Sequence, residues 1–148
     1  MEKRINVGQL EPAAYKAILG LEGYLASSSL DKTHKELIKI RASQINGCAY
    51  CINMHTTDAR KNGESEARIY LLNAWKEVDG LYSNEERAIL ALTEEMTLIS
   101  QGGVSTSTYE QARSLFDEHY LAQLMVAIIT INAWNRMAIA TLMQPELG

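Results

Sequence analysis

The sequence predicts an all-α protein, because helix signals follow one another along the chain and strand signals are nearly absent. Almost no segment shows the period-two alternation of apolar and polar residues that half-buried strands display. Apolar residues instead recur at helical spacing between stop signals such as the Asn-Gly pairs at 46–47 and 62–63. The chain has 148 residues, of which 47% are hydrophobic and 22% charged. We therefore expect one domain over residues 1–148, a bundle of about six to seven helices.

Four helices are expected in the first half of the chain. Asp31 is the expected N-cap of the second helix, and Cys48 opens the third. The two Asn-Gly pairs end the second and third helices, since glycine adopts the left-handed conformation that follows many helix ends. Ile69, Leu72 and Trp75 fall on one face of the fourth. The expected helices span residues 11–27, 32–45, 48–62 and 65–77.

The second half predicts three more helices. Ser83 followed by Glu86, and Ser107 followed by Glu110, are both capping-box patterns. The expected spans are residues 83–100, a helix beginning at 107, and a final helix from about 117 or 120 to 143. The final helix is apolar around most of its circumference, which predicts a place at the centre of the fold or across a subunit interface. Its apolar residues include Leu121, Leu124, Met125, Ile128, Ile129, Ile131, Trp134 and Met137.

Charge and hydropathy exclude several classes of partner. The net charge is -4, from 14 basic and 18 acidic side chains, and the basic residues are scattered, so we expect no nucleic-acid partner. The N-terminus lacks the uninterrupted apolar core of a signal peptide. The most apolar stretch, residues 121–143, is interrupted by Gln123, Asn132, Asn135 and Arg136. We expect a cytoplasmic protein with no membrane partner.

The segment "GCAYC", residues 47–51, contains both cysteines of the chain, and His55 follows one helical turn later. At 100° per residue, Cys48, Cys51 and His55 share one stripe of a helix. Cysteines three residues apart in a first turn come roughly within disulfide range, about 5 Å between Cα atoms, and the helix start favours a thiolate. A purely structural bridge over so short a loop contributes only about 2 kcal/mol. A pair that switches between dithiol and disulfide fits the pattern better, although inert core cysteines are the alternative.

Two further residues are candidates for proton transfer to this pair. His55 can take the proton of Cys51, directly or through one water. If the helix of residues 32–45 folds back at Asn46 and Gly47, Glu36 meets His55 across the resulting hairpin and orients its imidazole. The alternatives are a structural histidine and a solvated glutamate near a helix start.

A zinc site built from Cys48, Cys51, His55 and Glu36 is a competing interpretation of the same residues. One short helical stripe is a poor source of tetrahedral ligands, and the sequence holds no second CxxC or HxxxH segment to complete a set. We expect no bound metal. A thioredoxin fold is not expected either, because its CxxC motif requires a βαβ context that the sequence lacks.

Residues 36–75, "ELIKIRASQINGCAYCINMHTTDARKNGESEARIYLLNAW", resemble the core of the alkylhydroperoxidase D and carboxymuconolactone decarboxylase superfamily. The shared pattern is a glutamate, eleven residues, CxxC, and a histidine after three more. The segments "YSNEERAILALTEEMT" and "INAWNRMAIA" also resemble the small CxxC-bearing members of that family, so the likeness covers most of the chain. Alkylhydroperoxidase D proper has a histidine immediately before the second cysteine, whereas this chain has Tyr50, which does not exchange a proton near neutral pH.

The resemblance implies an all-helical subunit that assembles as a homotrimer or homohexamer and acts as a thiol-dependent peroxidase on hydroperoxides. Cys48 and Cys51 match the redox-active disulfide of the family, and His55 and Glu36 match its proton relay. No bound cofactor is implied; the expected partners are a hydroperoxide substrate and an external dithiol or thiol-protein reductant.

In the expected reaction, a hydroperoxide oxidises one thiolate to a sulfenic acid and the other thiol condenses with it. The sequence leaves open which sulfur attacks: proximity to His55 favours Cys51, while the position at the helix start favours Cys48 as the more acidic and exposed thiol. We expect Cys51 to attack and Cys48 to exchange with the reductant. Two alternatives remain. One is a non-enzymatic, redox-regulated oligomeric binding or scaffold protein, and the other is a decarboxylase of the same superfamily, against which the presence of both cysteines argues.

Overall fold

The computed structural model describes residues 3–148, and every regular element in this part of the chain is helical. The prediction of an all-α fold is therefore confirmed. The α-helices are α1 (Val7–Leu10), α2 (Pro12–Ser27), α3 (Lys32–Asn46), α4 (Ala49–Lys61), α5 (Glu66–Tyr70), α6 (Asn84–Thr97), α7 (Thr106–Leu115) and α8 (Glu118–Ala140), with 3₁₀ helices at Leu72–Glu77 and Ile99–Gln101.

The boundaries of α3 and α4 follow the predicted signals. The Asp31 carboxylate accepts hydrogen bonds from the backbone N–H groups of Thr33 and His34, which satisfies two of the free donors at the start of α3. Gly47 ends α3 in the left-handed conformation, with φ of 70° and ψ of 34°. The second Asn-Gly pair ends α4 in a related way, since Gly63 has φ of 91°.

The fourth predicted helix is wrong as a single element. The chain leaves the α-helix after Tyr70 and continues as the 3₁₀ helix Leu72–Glu77, within which Ala74 departs from helical geometry with φ of -116°. Leu72 and Trp75 are both buried, and residues three apart eclipse one another in a 3₁₀ helix. The apolar face that the sequence indicated therefore exists, but a tighter helix presents it.

The two predicted capping boxes have different outcomes. At the start of α6, Ser83 Oγ accepts the N–H of Glu86 while the Glu86 carboxylate accepts the N–H of Ser83, as predicted. At the start of α7 the prediction of Ser107 is wrong, because Ser105 is the N-cap and accepts the N–H of Thr108 at 3.2 Å. Ser105 is also held from outside the helix, since its N–H and its hydroxyl both donate to the Glu95 carboxylate.

Two helices end earlier than predicted. α6 ends at Thr97 rather than near residue 100, and the chain passes through a 3₁₀ turn to Gly102, whose φ is 113°. α8 begins after Asp117, as predicted, but ends at Ala140 rather than Met143. Leu142 follows with φ of 55°, a left-handed conformation that is uncommon outside glycine.

α3 lies at the centre of the bundle, since its most extensive contacts are with α4, α6 and α8. One side of α8 packs into the larger hydrophobic cluster together with α3 and α6, but Ile129 on the same helix is 55% exposed. The buried apolar residues of α8 are Leu121, Leu124, Ala127, Ile128, Ile131 and Ala138. Among residues 3–148, no helix combines the length and hydropathy required to cross a membrane.

Candidate redox site

The two cysteines lie where α3 turns back into α4. The N–H of Cys48 donates to the carbonyl of Ser43 at 3.0 Å and the N–H of Gly47 donates to Gln44, which is the Schellman arrangement at a helix end. Cys48 is at the same time the N-cap of α4, and its Sγ accepts the N–H of Cys51 at 3.3 Å. The two sulfurs are joined in a disulfide, with 5.3 Å between the Cα atoms. One residue therefore closes one helix, caps the next and forms half of the redox pair.

Both members of the pair are buried, so the expectation that Cys48 would be the more exposed sulfur is wrong. Cys48 is 1% exposed and Cys51 is 3% exposed. Ala138 of α8 and the ring of Tyr50 pack against the pair and cover it. Cys51 nevertheless lines a cavity, while Cys48 is not among the residues that line it. The accessible route to the disulfide in this form of the protein leads to Cys51.

His55 and Glu36 meet across the α3–α4 hairpin. His55, one turn beyond Cys51 on α4, is 9% exposed. Its Nδ1 atom lies 3.6 Å from Oε2 of Glu36. That separation is longer than a hydrogen bond, and both atoms are buried without a hydrogen-bond partner among the residues that the structure describes. Buried polar groups are normally satisfied, so this unsatisfied acid and base beside a cysteine are the candidates for the proton relay expected from the sequence.

The cavity beside Cys51 has a volume of about 300 Å³ and lies between α2, α4 and α8. Its wall is largely apolar and includes an edge-to-face pair of Tyr15 and Trp134, with ring centroids 5.3 Å apart. The remaining lining residues are Leu19, Glu22, Lys39, Tyr50, Cys51, Met54, His55, Asp58, Ala138 and Met143. Apolar walls with a few convergent polar groups are typical of small-molecule sites.

Glu22 is a charged group of the cavity wall that both a hydrogen bond and an ion pair position. Its carboxylate accepts a hydrogen bond from the indole N–H of Trp134 at 3.1 Å and lies 3.5 Å from the Lys39 ammonium. Neither Glu22 nor Lys39 was among the site residues predicted from the sequence. The sequence does indicate that Tyr15, Leu19 and Glu22 lie together, because they follow one another at helical spacing and share a face of α2.

A buried polar network joins the last turn of α3 to α8. Asn135 of α8 is 0% exposed; its Nδ2 donates to Ser43 Oγ at 3.0 Å and its Oδ1 accepts from Asn46 Nδ2 at 2.9 Å. Asn46 also donates to Asn132, which in turn donates to Thr97 Oγ1. In the sequence, Asn132 and Asn135 interrupt an apolar helix. Polar residues in such a helix can indicate a buried hydrogen-bond network.

The two cysteines of the competing zinc interpretation are joined in a disulfide in this structure. Across residues 3–148, no group of three or more His, Cys, Asp or Glu residues is placed to hold a metal ion. The two other histidines have different surroundings. The ring of His34 shares a hydrogen bond with the Tyr120 hydroxyl at 2.7 Å, and His119 is exposed.

The sequence is similar to that of a known protein family and to that of a curated relative. The sequence model of the carboxymuconolactone decarboxylase family matches residues 12–95, which include both cysteines, His55 and Glu36. The uncharacterised protein YdfG of Bacillus subtilis (strain 168) is 47% identical over 140 residues, and the match covers 95% of each chain.

Two solved structures are also similar. A protein of unknown function from Agrobacterium tumefaciens, with a suggested role as the antioxidant defence protein AhpD, superposes with a TM-score of 0.95. It is 38% identical, and the match covers 99% of the present chain and 100% of that one. An uncharacterised peroxidase-related protein from Silicibacter sp. TM1040 superposes with a TM-score of 0.75 at 26% identity, over 88% of this chain and 69% of that one.

Proposed function

This chain belongs to the carboxymuconolactone decarboxylase family, in its alkylhydroperoxidase D-like branch, and we propose that it is a thiol-dependent peroxidase that reduces organic hydroperoxides. The observation that carries the proposal is the position of Cys51. This sulfur belongs to a CxxC disulfide, lines an apolar cavity, and is followed one turn later by a buried histidine with a glutamate behind it.

The first chemical step is an attack by the Cys51 thiolate on the terminal oxygen of the hydroperoxide. The S–O bond forms as the O–O bond breaks, and the organic oxygen leaves as an alcohol after taking one proton. Cys51 becomes a sulfenic acid, and the peroxide is reduced by two electrons. The cavity favours Cys51 over Cys48 as the attacking sulfur, because only Cys51 lines it.

The second step closes the disulfide. The Cys48 sulfur attacks the sulfenic sulfur of Cys51, and the hydroxyl leaves as water after taking one proton. The 5.3 Å between the two Cα atoms lies within the range that a disulfide requires. An external dithiol then supplies two electrons and two protons, restoring both thiols and becoming a disulfide itself.

His55 is the proposed base for the first step. It removes the proton of Cys51 and can later return it to the departing alkoxide, while Glu36 orients the imidazole and stabilises its protonated form. Tyr50 lines the same cavity but contributes packing against the disulfide rather than proton transfer. In this scheme the chain requires no bound cofactor.

An assembly of identical subunits, as a trimer or hexamer, is part of the proposal. α2 is a 16-residue helix with Leu25 as its one buried residue, and it leaves Leu19, Leu21 and Tyr24 exposed. An apolar helix surface of this kind is typical of a subunit interface. α2 also contributes Tyr15 and Glu22 to the cavity wall, so contact between subunits there would adjoin the site.

A steady-state assay with several hydroperoxides and dithiol donors tests the proposed activity. We expect the wild-type protein to consume many equivalents of hydroperoxide for each protein chain. Cys51→Ser should abolish the reaction, whereas Cys48→Ser should react with about one equivalent and then stop at the sulfenic acid. A redox-regulated scaffold would consume one equivalent in the wild-type protein as well, and that result would overturn the proposal.

A further inference from the structure

We propose that Asn135 is a positioning residue for the redox pair: by fastening the last turn of α3 to α8, it keeps Cys48 within bridging distance of Cys51 and so stabilises the disulfide form. The inference rests on the proposed redox use of the pair and concerns its thiol–disulfide equilibrium. It concerns residues other than Glu36 and His55, the proposed proton relay.

Asn135 holds the turn at two points. Its Nδ2 donates to the hydroxyl of Ser43 and its Oδ1 accepts from the amide of Asn46, with distances of 3.0 and 2.9 Å. Both partners belong to the last turn of α3, directly before Gly47. An asparagine amide offers a donor and an acceptor in fixed relative positions, so one side chain can restrain both residues.

The restraint passes to Cys48 through the backbone. The carbonyl of Ser43 accepts the N–H of Cys48 at 3.0 Å. Ser43 is therefore bonded to Asn135 through its side chain and to Cys48 through its main chain. Gly47, between the anchored turn and Cys48, is exposed, and no atom lies within 4 Å of the position that a Cβ on it would occupy. The hydrogen bonds of Asn135, together with the bond from Asn46 to Asn132, are the side-chain hydrogen bonds that join this turn to α8.

The location of Asn135 supports a specific task for its amide. The side chain is completely buried in a largely apolar helix, where an amide without hydrogen-bond partners would be destabilising. The second asparagine of the network, Asn132, extends the attachment to α6 through Thr97. The end of α3 is thereby connected to two other helices of the bundle.

A restrained turn affects the thiol–disulfide equilibrium because it keeps the Cys48 thiol close to the Cys51 thiol. The measured reaction is protein disulfide plus two glutathione giving protein dithiol plus glutathione disulfide. Fixing Cys48 near Cys51 raises the effective concentration of one thiol at the other and favours the bridged form. Loosening the turn should therefore shift the equilibrium toward the dithiol.

The test is a redox titration of the full-length protein in glutathione buffers, followed by thiol counting. Asn135→Ala should shift the equilibrium constant at least fivefold toward the dithiol, equivalent to about 20 mV for a two-electron couple. Thr130→Val is the matched control: Thr130 is equally buried on the same helix, but its hydroxyl bonds to the carbonyl of Val126 rather than to the turn. Ser43→Ala, which removes one of the two anchors, should produce a smaller shift in the same direction and serves if Asn135→Ala does not fold.

The outcomes separate the two proposals. Equal equilibrium constants for the wild type, Ser43→Ala and any folded Asn135 variant would overturn the positioning role, as would an equal shift in Thr130→Val. If the equilibrium shifts as expected but the wild-type protein does not turn over hydroperoxides, the positioning role stands and the peroxidase proposal fails. A wild-type disulfide that neither glutathione nor the dithiol dithiothreitol reduces in the folded protein would overturn both.

Discussion

Nδ1 of His55 and Oε2 of Glu36 face each other at 3.6 Å across the α3–α4 hairpin, and each lacks a hydrogen-bond partner within the described residues. Glu36 belongs to α3 and His55 to α4, the two helices on either side of Gly47. A small movement of either side chain would form the hydrogen bond that orients the imidazole. This relationship is the basis for the first prediction.

Replacing either relay residue should slow the reaction of the reduced protein with hydroperoxide. We expect His55→Ala and Glu36→Gln each to lower the rate by on the order of tenfold to a thousandfold near pH 7, the range of a general base. Higher pH should restore both rates, because the thiolate then forms without the base. Stopped-flow kinetics over a range of pH measures this.

The double variant provides a check on the relay. It should be little slower than the slower single variant, because residues that act as one unit are not additive. Wild-type rates for both single variants at every pH would mean that His55 and Glu36 have structural roles.

The cysteine pair should convert completely between its two states without unfolding. We expect two titratable thiols after reduction and none after mild treatment with peroxide. Helix content, measured by circular dichroism, should remain the same, because the backbone hydrogen bonds at the α3–α4 turn do not involve the sulfurs. Two thiols that persist after oxidation, or zinc bound in stoichiometric amount, would contradict the redox interpretation.

The exposed apolar surface of α2 should lie in a subunit contact. Light scattering at micromolar concentration is expected to give three or six times the mass of one chain, and Leu21→Glu should lower that mass by placing a charge in the contact. Lys16→Glu, at an exposed position on the same helix, is the control and should leave the mass unchanged. A monomeric wild-type protein would contradict the prediction.

Glu94 should contribute to stability above pH 4.5 and lose that contribution in acid. Burial raises the pKa of Glu94, but hydrogen bonds from Lys76, Trp75 and Arg41 outweigh burial and hold the pKa below 4.5. Because the pKa is lower in the folded than in the unfolded protein, the contribution is present above the unfolded value and is lost as pH falls through the folded value. Urea unfolding from pH 7 to pH 3 should show a shallower decline for Glu94→Gln than for the wild type.

At pH 7, Glu94→Gln should itself lower the free energy of unfolding by roughly 1–3 kcal/mol, since it leaves charged donors without their carboxylate. Glu66→Gln is the comparison, because Glu66 forms a solvent-exposed ion pair with Arg60. Such pairs contribute about 0–1 kcal/mol. Equal pH profiles for Glu94→Gln and the wild type would contradict the assignment of Glu94.

The start of α7 offers a direct comparison of two serines two residues apart. Ser105→Ala should lower the free energy of unfolding by about 1 kcal/mol, because it removes the cap of α7 and a hydrogen bond to Glu95. Ser107→Ala, at an exposed position inside the helix, should change it by less than about 0.5 kcal/mol. Chemical denaturation measures both changes in the free energy of unfolding. A larger effect at Ser107 would favour Ser107 as the N-cap, as the sequence pattern predicted.

The capping residues show which local signals sufficed. Asp31 and Ser83 cap helices where the sequence predicts them, because each cap depends on a few neighbouring backbone groups. Ser105 was missed because Ser107 and Glu110 form the better local pattern. The choice between the two serines depends on Glu95, ten residues away in sequence and adjacent to Ser105 only in the folded chain.

The sequence alone determined the helical class, the hairpin at Gly47 and the common face of Cys48, Cys51 and His55, since helical spacing and left-handed glycine are local properties. Only the tertiary structure decided that Cys48 is buried and that the cavity opens on Cys51. Those two properties depend on which side chains of α2 and α8 approach the hairpin, and packing between helices distant in sequence is not encoded in the spacing of residues along any one of them.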